Sequence, residues 1–300
     1  MARNKRDVNK MAAKRAAFLS DVHGNSPALE AVLRDIASFE VDELISLGDI
    51  INGLDPQGCV QMLRDWAEEQ DVKLTCIMGN AEAYLVTPNR HESPSYGREW
   101  WPGLLKLIDW YQDRLTTEKF HWICTWPMEL RWGDSYLVHD SPLDRVRVVA
   151  EANPDTKPEY RELYFHGRGI NADFSEAEWD ELDEFLQQQD YDRVFCGHTH
   201  GAFIVEREGK TICNVGSAGA PLDGDWRPAW VLLEEDDAGK AQLTIHRVEY
   251  DLPRIVQLVD ENPDYSDFDN HPGKMDAFKA WYATGIHWKA HLHDMLSEEE

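Results

Sequence analysis

The sequence has few cysteines, and none of them forms a C-x-x-C pair. Their odd number and wide spacing argue against a disulfide framework. Three of them stand in apolar, strand-like runs, where we expect free and buried thiols. The five cysteines are Cys59, Cys76, Cys124, Cys196 and Cys213.

Long apolar stretches are also missing. No run approaches the roughly 18 residues that a transmembrane helix needs. The basic N-terminal arm, residues 1–14, has neither the apolar core nor the small-residue cleavage site of a signal peptide. We therefore expect a cytoplasmic protein that does not engage a membrane.

Positive charge is scarce, with 30 Lys and Arg against 56 Asp and Glu and a net charge of −26. This charge repels phosphate backbones at long range, so we expect no general coating of DNA or RNA. A small phosphorylated substrate is still compatible, because bound metal ions reverse the sign of the charge locally. The oligomeric state is left open.

Apolar residues make up 42% of the 300 positions and aromatic residues 11%, which excludes intrinsic disorder for most of the chain. A strand, a polar loop and a helix follow one another three times from Ala16 onward, which predicts an α/β fold with a largely parallel sheet. The second half is expected to be more antiparallel, with a loop-rich stretch over 151–173.

The predicted organisation has three parts. The basic arm at 1–14 precedes a main domain at 15–259, which carries a helical cap insertion at about 88–127 with a Trp-rich helix over 98–115. An acidic linker and a helical tail follow at 260–300. The segment Asp251–Glu300 is predicted to be dispensable for chemistry, because the five candidate motifs described next all lie before it.

Five short polar motifs each follow a strand-like run. They are Asp21-x-His23, Gly48-Asp49, Gly79-Asn80, His139-Asp140 and Gly197-His198-Thr199-His200. Taken singly they are weak signals, since a Gly-Asp pair is more often a simple turn. Loops at the carboxyl ends of strands converge on one crevice in α/β sheets, so the ordered set predicts a common site.

Seven side chains of these motifs offer imidazole nitrogen and carboxylate or amide oxygen, without a thiolate. This donor set suits Mn²⁺, Fe, Co²⁺ or Zn²⁺. Seven ligands exceed the needs of one ion and suffice for two if one carboxylate bridges them. The predicted metal ligands are Asp21, His23, Asp49, Asn80, His139, His198 and His200.

In this order the motifs resemble the calcineurin-like metallophosphoesterase superfamily, from about Ala17 to Asp251. Segments 20–25, 48–56 and 214–217 also resemble its small bacterial and archaeal branch, which is similar to phosphodiesterases and dinucleoside polyphosphatases. The resemblance implies a four-layer α/β/β/α sandwich with two divalent ions, Mn²⁺ being favoured.

The resemblance further implies how the ligands divide between the ions. One ion would be held by Asp21, His23, Asp49 and His200, and the other by Asp49, Asn80, His139 and His198. Asp49 would bridge the ions, and Asp49, Asn80 and His139 are the candidate catalytic residues. Two cations acidify a shared water, so that hydroxide attacks phosphorus in line. The predicted activity is hydrolysis of phosphodiester or phosphoanhydride bonds in a nucleotide-like molecule.

One departure from the family concerns the general acid. Many members read GNH before an acidic residue, and that histidine protonates the leaving oxygen, whereas Ala81 stands at its position here. Glu82, the residue expected to orient the histidine, remains. Since acid catalysis is worth roughly 10²–10⁴-fold, its loss favours leaving groups that are already stable anions. His91, His121 and His166 are conceivable substitutes, and Ala81→His is expected to restore the acid.

A second departure concerns the phosphate grip. The protein phosphatases of the family carry Arg before Gly in the GD segment, where this chain reads Ile51-Asn52-Gly53. A protein serine/threonine phosphatase is therefore a weaker alternative, and Arg145, Arg147 and Arg168 are left as candidate phosphate contacts. The other alternative is a non-catalytic, metal-binding scaffold that uses the Trp-rich helix as its contact surface.

Overall fold

Two five-stranded sheets lie face to face, and helices cover both outer surfaces. The computed structural model describes residues 15–87, 101–142, 146–149, 162–165, 170, 174–236, 240–266 and 274–286. The strands are β1 (Arg15–Leu19), β2 (Glu43–Ser46), β3 (Lys73–Cys76), β4 (Glu129–Trp132), β5 (Ser135–Val138), β6 (Val146–Val149), β7 (Glu162–Phe165), β8 (Arg193–Cys196), β9 (Ala202–Arg207), β10 (Lys210–Val215), β11 (Ala229–Glu235) and β12 (Ala241–Arg247). The helices are α1 (Ser26–Ile36), α2 (Pro56–Glu69), α3 (Asn80–Val86), α4 (Trp101–Arg114), α5 (Thr117–Ile123), α6 (Glu176–Gln189), α7 (Leu252–Glu261) and α8 (Lys274–Thr284).

The first sheet has the order β12-β11-β1-β2-β3. Strands β1, β2 and β3 are parallel, as the repeated strand–helix pattern predicts, and β11 and β12 extend the sheet by antiparallel pairing. The second sheet has the order β4-β5-β8-β10-β9. Its centre, β5-β8-β10, is parallel and its two edge strands are antiparallel. The pairings of β4 to β12 are mostly antiparallel, with a parallel centre in the second sheet, as the sequence predicts.

Three apolar clusters define four layers. The largest joins the first sheet to α1, α2, α4, α5, α7 and α8, and another joins the second sheet to α6. The third lies between the sheets, where the Phe18 and Phe195 rings stack with centroids 4.0 Å apart. Residues of β1 alternate between the outer cluster and the cluster between the sheets, because side chains along a strand point to opposite faces. The α/β/β/α sandwich expected from the sequence is confirmed.

Helix α1 shows how the local sequence directs the chain away from a strand end. The Asn25 side chain accepts the Ala28 N–H at 3.1 Å and caps the helix, and Pro27 occupies its first turn. Leu29, Val32 and Ile36 recur at helical spacing and are fully buried on the first sheet. The cap places the loop that precedes α1 at the carboxyl end of β1.

One strand pair is not evident from the sequence pattern. The stretch 151–173 is expected to be loop-rich, and β7 within it pairs antiparallel with β6. Short strands flanked by polar residues give little periodicity, so the pattern does not reveal them. The N-terminal arm and residues 88–100 of the insertion lie outside the described residues, and the domain boundaries stay predictions.

The helical insertion and the C-terminal elements both pack into the main core. Helices α4 and α5 lie beside α2 and α3, and α7 and α8 pack against each other on the same side of the first sheet. Phe278 and Trp281 of α8 are buried there, so this helix of the predicted tail packs on the main core. Trp288 lies outside the described residues. None of the described helices is both long and apolar enough to cross a membrane.

We expect the substitution Phe18→Ala to lower the free energy of unfolding by about 3–5 kcal/mol, because it opens a cavity between the sheets. Phe203→Ala is the matched control, since Phe203 is only half-buried on β9 and should cost about 1 kcal/mol. Urea unfolding followed by circular dichroism measures both values. Equal losses would show that the contact between the sheets is not a principal source of stability.

Candidate metal centre

All seven predicted ligand residues lie in the described part of the chain, beyond the carboxyl ends of strands, six of them in loops and Asn80 at the start of α3. Strands β1, β2 and β3 of the first sheet precede Asp21 with His23, Asp49 and Asn80. Strands β5 and β8 of the second sheet precede His139 and His198 with His200. Both sheets therefore contribute to one crevice, as the sequence predicts.

Asp21, His23 and His200 form the first group of converging donor atoms. Asp21 Oδ1 lies 3.3 Å from His200 Nε2 and 3.7 Å from His23 Nε2. His23 Nε2 also lies 3.6 Å from Asp49 Oδ2. The three ligand atoms of this group lie within 4.8 Å of one another, a spacing that suits coordination of one ion.

The second group is built around His139. Its Nε2 lies 3.8 Å from Asp21 Oδ1 and 3.7 Å from Asp49 Oδ1. Asn80 Oδ1 lies 3.2 Å from the same Nε2 and 3.0 Å from His198 Nδ1. Turned by 180°, the Asn80 amide would donate to the same two rings and to Asp49. A cation in the crevice requires the orientation in which the Asn80 oxygen faces the donor atoms. Without a cation, the orientation in which the Asn80 nitrogen faces them is favoured.

The backbone is left-handed at five of the seven ligand positions. Such φ values cost non-glycine residues of order 1–2 kcal/mol, so the surrounding contacts must hold them. They turn the chain sharply at the strand ends and aim the side chains at one point. The five are Asp21 (φ 53°), His23 (φ 50°), Asp49 (φ 52°), His198 (φ 67°) and His200 (φ 59°).

Two glycines allow the loops to approach the carboxylates. A Cβ on Gly79 would lie 2.2 Å from Asp49 Oδ1, and a Cβ on Gly197 would lie 2.4 Å from Asp21 Oδ2. Both distances are far below a van der Waals contact. The Gly-Asn and Gly-His pairs therefore need glycine for space and not only for a turn.

Hydrogen bonds to main-chain carbonyls orient two of the imidazoles. His139 Nδ1 donates to the Leu47 carbonyl at 2.8 Å, and His200 Nδ1 donates to the Ala220 carbonyl. These partners accept only, so in its neutral form each ring carries its proton on Nδ1 and presents the Nε2 lone pair to the crevice. Metal-binding histidines are commonly held in this way.

Buried charges raise or lower the pKa values in the crevice. Burial lowers the pKa of His139, but the charges of Asp49, Asp21 and Asp140 outweigh it and raise the pKa to about 9. The pKa of His200 is raised in the same sense, since burial is outweighed by the charge of Asp21. Burial also raises the pKa of Asp21, yet the neighbouring His200 and His139 hold it well below its usual value.

These residues fit a divalent cation. Asp21 Oδ1 and His23 Nε2 are buried and have no hydrogen-bond partner, although each points at other donor atoms of the cluster. A buried carboxylate oxygen without a partner is costly, and a cation between the ligands would satisfy it. The nitrogen and oxygen donors suit Mn²⁺, Fe, Co²⁺ or Zn²⁺.

Glu82 has a different role from the one expected. It is fully buried, and its carboxylate accepts four backbone N–H groups at 2.8–3.1 Å, those of Asp49, Ile50, Ile51 and Gly79. Burial and the charge of Asp49 raise its pKa to about 7 against the effect of these donors. Glu82 therefore fixes the loop that carries Asp49, and its oxygens are not available to orient a histidine.

The expectation that Ala81→His restores a general acid stays a prediction. Ala81 is 3% exposed and belongs to the main core cluster, so an imidazole at this position would require repacking of its neighbours. Of the proposed substitutes, His121 is exposed on α5, and His91 and His166 lie outside the described residues. Arg145, Arg168 and the side chain of Arg147 also lie outside the described part of the chain.

Three contacts that support the site were not predicted. Ser217 Oγ donates to the Asp21 carbonyl at 2.6 Å, and Asn214 Nδ2 donates to the Gly197 carbonyl at 2.8 Å. Tyr111 of α4 donates to Asn52 in the loop after Asp49. The segment 214–217 is noted in the sequence only for its resemblance to the family, and that resemblance does not reveal which atoms it holds.

Comparison with known proteins finds similarity over most of the chain. A sequence model of the calcineurin-like phosphoesterases matches residues 14–202. An uncharacterized protein of Methanocaldococcus jannaschii is 25% identical over 264 residues, which is 82% of this chain and 92% of the relative.

Solved structures share the fold. A metallophosphoesterase from Sphaerobacter thermophilus superposes with a TM-score of 0.61 at 24% identity, covering 91% of this chain and 99% of that one. A hypothetical protein from Pyrococcus horikoshii also gives a TM-score of 0.61, at 18% identity, covering 87% and 95% of the two chains.

We expect Glu82→Gln to weaken the site, because an amide nitrogen would face backbone N–H groups in place of an oxygen. The free energy of unfolding should fall by about 1–3 kcal/mol, and Mn²⁺ should bind less tightly. Glu178→Gln is the matched control, since Glu178 has the same position in the first turn of α6 and its carboxylate accepts the Ser175 N–H at 2.8 Å. Glutamine is tolerated at that position of a capping box. Equal effects in denaturant titrations and calorimetry would contradict this role of Glu82.

We expect Mn²⁺ binding to release protons. Without metal, His139 with a pKa of about 9 is protonated at neutral pH, and only the neutral ring binds a cation. Affinity should therefore rise by up to about tenfold per pH unit between pH 7 and pH 9 and then level off. Titration calorimetry in buffers of different ionisation enthalpy counts the protons. An affinity that does not change over this range would be inconsistent with His139 as a ligand.

Proposed function

Since the chain belongs to the calcineurin-like phosphoesterases and is thus a metal-dependent phosphoesterase, we propose that it hydrolyses phosphodiester or phosphoanhydride bonds of a small, nucleotide-like molecule. The observation that carries the proposal is the convergence of seven nitrogen and oxygen donors, with Asp21 Oδ1 and His23 Nε2 buried and without a partner. The cytoplasmic location expected from the sequence is part of the same proposal.

Two divalent ions, with Mn²⁺ favoured, are proposed for this site. Asp21, His23, Asp49 and His200 would hold one ion, and Asp49, Asn80, His139 and His198 the other. When bound, the ions would supply an activated water and neutralise charge on the phosphoryl oxygens. The close approach of His139 to both carboxylates supports a shared centre.

The ligand set also explains how an acidic chain can take an anionic substrate. Asp21 and Asp49 are the two carboxylates of the set, and its other members are neutral when they bind metal. The two carboxylates neutralise only half of the charge of two divalent ions, so the occupied crevice would be positive. Asp49 would hold both ions, while its loop is fixed by the Glu82 carboxylate.

The substrate class follows from Ala81. Its methyl group cannot donate a proton, and it is buried where the family commonly has the general acid. Without that acid, departure of an alkoxide is slow, whereas a phosphate, a nucleotide or a nitrophenolate leaves without protonation. This chemistry favours phosphoanhydrides and aryl-type diesters over alkyl monoesters.

The proposal is tested with Mn²⁺-reconstituted protein on a nitrophenyl diester, a nitrophenyl monoester, diadenosine tetraphosphate and a phosphopeptide. We expect two ions per chain, with hydrolysis of the diester and of diadenosine tetraphosphate exceeding that of the other substrates. Asp49→Asn should lose more than about 100-fold in rate, since ligands matter more than the groups behind them. His23→Ala should lose less, because His23 touches one ion.

Asp71→Asn is the control for Asp49→Asn. Asp71 also has a left-handed backbone, with φ 54° against 52°, but it is exposed in the turn after α2. Preference for the phosphopeptide would point to a protein phosphatase. A metal-loaded protein that is inert toward all four substrates would favour the scaffold, and a stoichiometry of one ion would contradict the bridging role of Asp49.

A further inference from the structure

The C-terminal helix α8 is anchored in the core behind the metal centre. Ala277, Phe278, Trp281 and Tyr282 are all buried in the main apolar cluster. The Phe278 ring contacts Tyr265 with centroids 5.9 Å apart, and α8 packs along α7. Sequence-based reasoning assigned this helix no part in the chemistry.

Two hydrogen bonds tie α8 and its carboxyl end to one loop. The buried Trp281 indole N–H donates to the Pro221 carbonyl at 3.1 Å. Just beyond the helix, the Gly285 carbonyl accepts the Gly224 N–H at 3.3 Å. The loop that follows β10 is thus held from behind by the C-terminal helix.

The inner side of that loop, residues 217–222, contacts two of the loops that carry predicted ligands, the loop after β1 and the loop after β8. We name it the bracket segment. Ser217 Oγ donates to the Asp21 carbonyl at 2.6 Å, and the Gly219 carbonyl accepts Asn25 Nδ2 at 2.7 Å. The Ala220 carbonyl accepts Nδ1 of His200, and the Leu222 N–H donates to the His200 carbonyl.

The hydrogen bonds of Trp281 and His200 are accepted by consecutive main-chain carbonyls, those of Pro221 and Ala220. The Ala220 carbonyl belongs to the peptide bond that joins Ala220 to Pro221, whose ring fixes φ. The indole holds the next carbonyl, that of Pro221, and so restricts the remaining backbone rotation of the proline. The direction of the Ala220 carbonyl, and with it the tilt of the His200 ring, is therefore set from α8.

From these contacts we infer that Trp281 is a positioning residue of the metal centre. It acts through the bracket segment to hold His200 Nε2 in line with Asp21 Oδ1, 3.3 Å away. The inference rests on the proposed metal site and adds to it a helix that is distant in sequence. Groups behind metal ligands typically change affinity by about 10–100-fold when they are lost.

The first test compares Trp281→Phe with Trp230→Phe. Trp230 is a buried indole of the same apolar cluster, and its N–H donates at 2.9 Å to Asp35, away from the bracket segment. Both variants lose one ring and one indole hydrogen bond. We expect Trp281→Phe to bind Mn²⁺ at least about tenfold more weakly and to alter the visible spectrum of the Co²⁺-substituted protein. Trp230→Phe should change neither, whatever its loss of thermal stability.

The second test needs no variant. If α8 positions a ligand, metal binding must in turn stabilise the docking of α8, because coupling between two sites is reciprocal. Hydrogen exchange of the wild-type protein with and without Mn²⁺ should show slower exchange in α8 as well as in the bracket segment. Helix α6 is the internal control, since it packs on the other sheet.

The outcomes separate this inference from the proposed function. Wild-type protein that binds no Mn²⁺ would contradict the metal site itself. Wild-type protein that binds Mn²⁺ while Trp281→Phe keeps its affinity and Co²⁺ spectrum would overturn the role of Trp281. Two further results would also overturn it. One is a loss of Mn²⁺ affinity in both variants that is proportional to their loss of stability. The other is hydrogen exchange in α8 that is the same with and without Mn²⁺.

Discussion

The two sheets meet chemically at the carboxylate of Asp21. The Asp21 carboxylate follows β1 of the first sheet. Its Oδ2 accepts the His198 N–H at 2.8 Å, and its Oδ1 lies 3.3 Å from His200 Nε2. Both histidines follow β8 of the second sheet. The stacked rings of Phe18 and Phe195 hold the same two strands together one layer deeper. A shift of β1 or β8 by one residue against its neighbouring strands would reverse the inward and outward faces of that strand and separate these groups. The packing between the sheets and the geometry of the crevice are therefore one constraint.

Hydrogen bonds made by uncharged groups and by one carboxylate surround the Asp21 contact. Glu82 gathers the loop after β2, Ser217 holds the chain at Asp21, and the carbonyls of Leu47 and Ala220 set two imidazoles. None of these groups is a predicted ligand. They satisfy buried backbone donors and acceptors at the points where the strands end, which is where a sheet leaves most of them unpaired.

The ligands and the layered fold were predictable because each ligand motif directly follows an apolar strand run. Asp21, Asp49 and Asn80 each mark a strand end in the local sequence, and the crevice follows from the parallel arrangement. The role of Glu82 was not predictable, because its N–H partners in the Asp49 loop are about thirty residues away in sequence. The docking of α8 was hidden for a similar reason. The acidic stretch before it resembles a solvated linker, and burial of Trp281 depends on surfaces formed by distant segments.

The left-handed backbone at five ligand positions has a consequence for how the protein acquires its metal. Those turns are held by hydrogen bonds within the protein, such as those from the Asp21 and His23 N–H groups to the Gly48 and Asp49 carbonyls, so the chain itself shapes the crevice. A site of nitrogen and oxygen donors follows the general affinity order of divalent metals and cannot select strongly by itself. We therefore expect the metals that the cell supplies to decide which ion the folded protein binds.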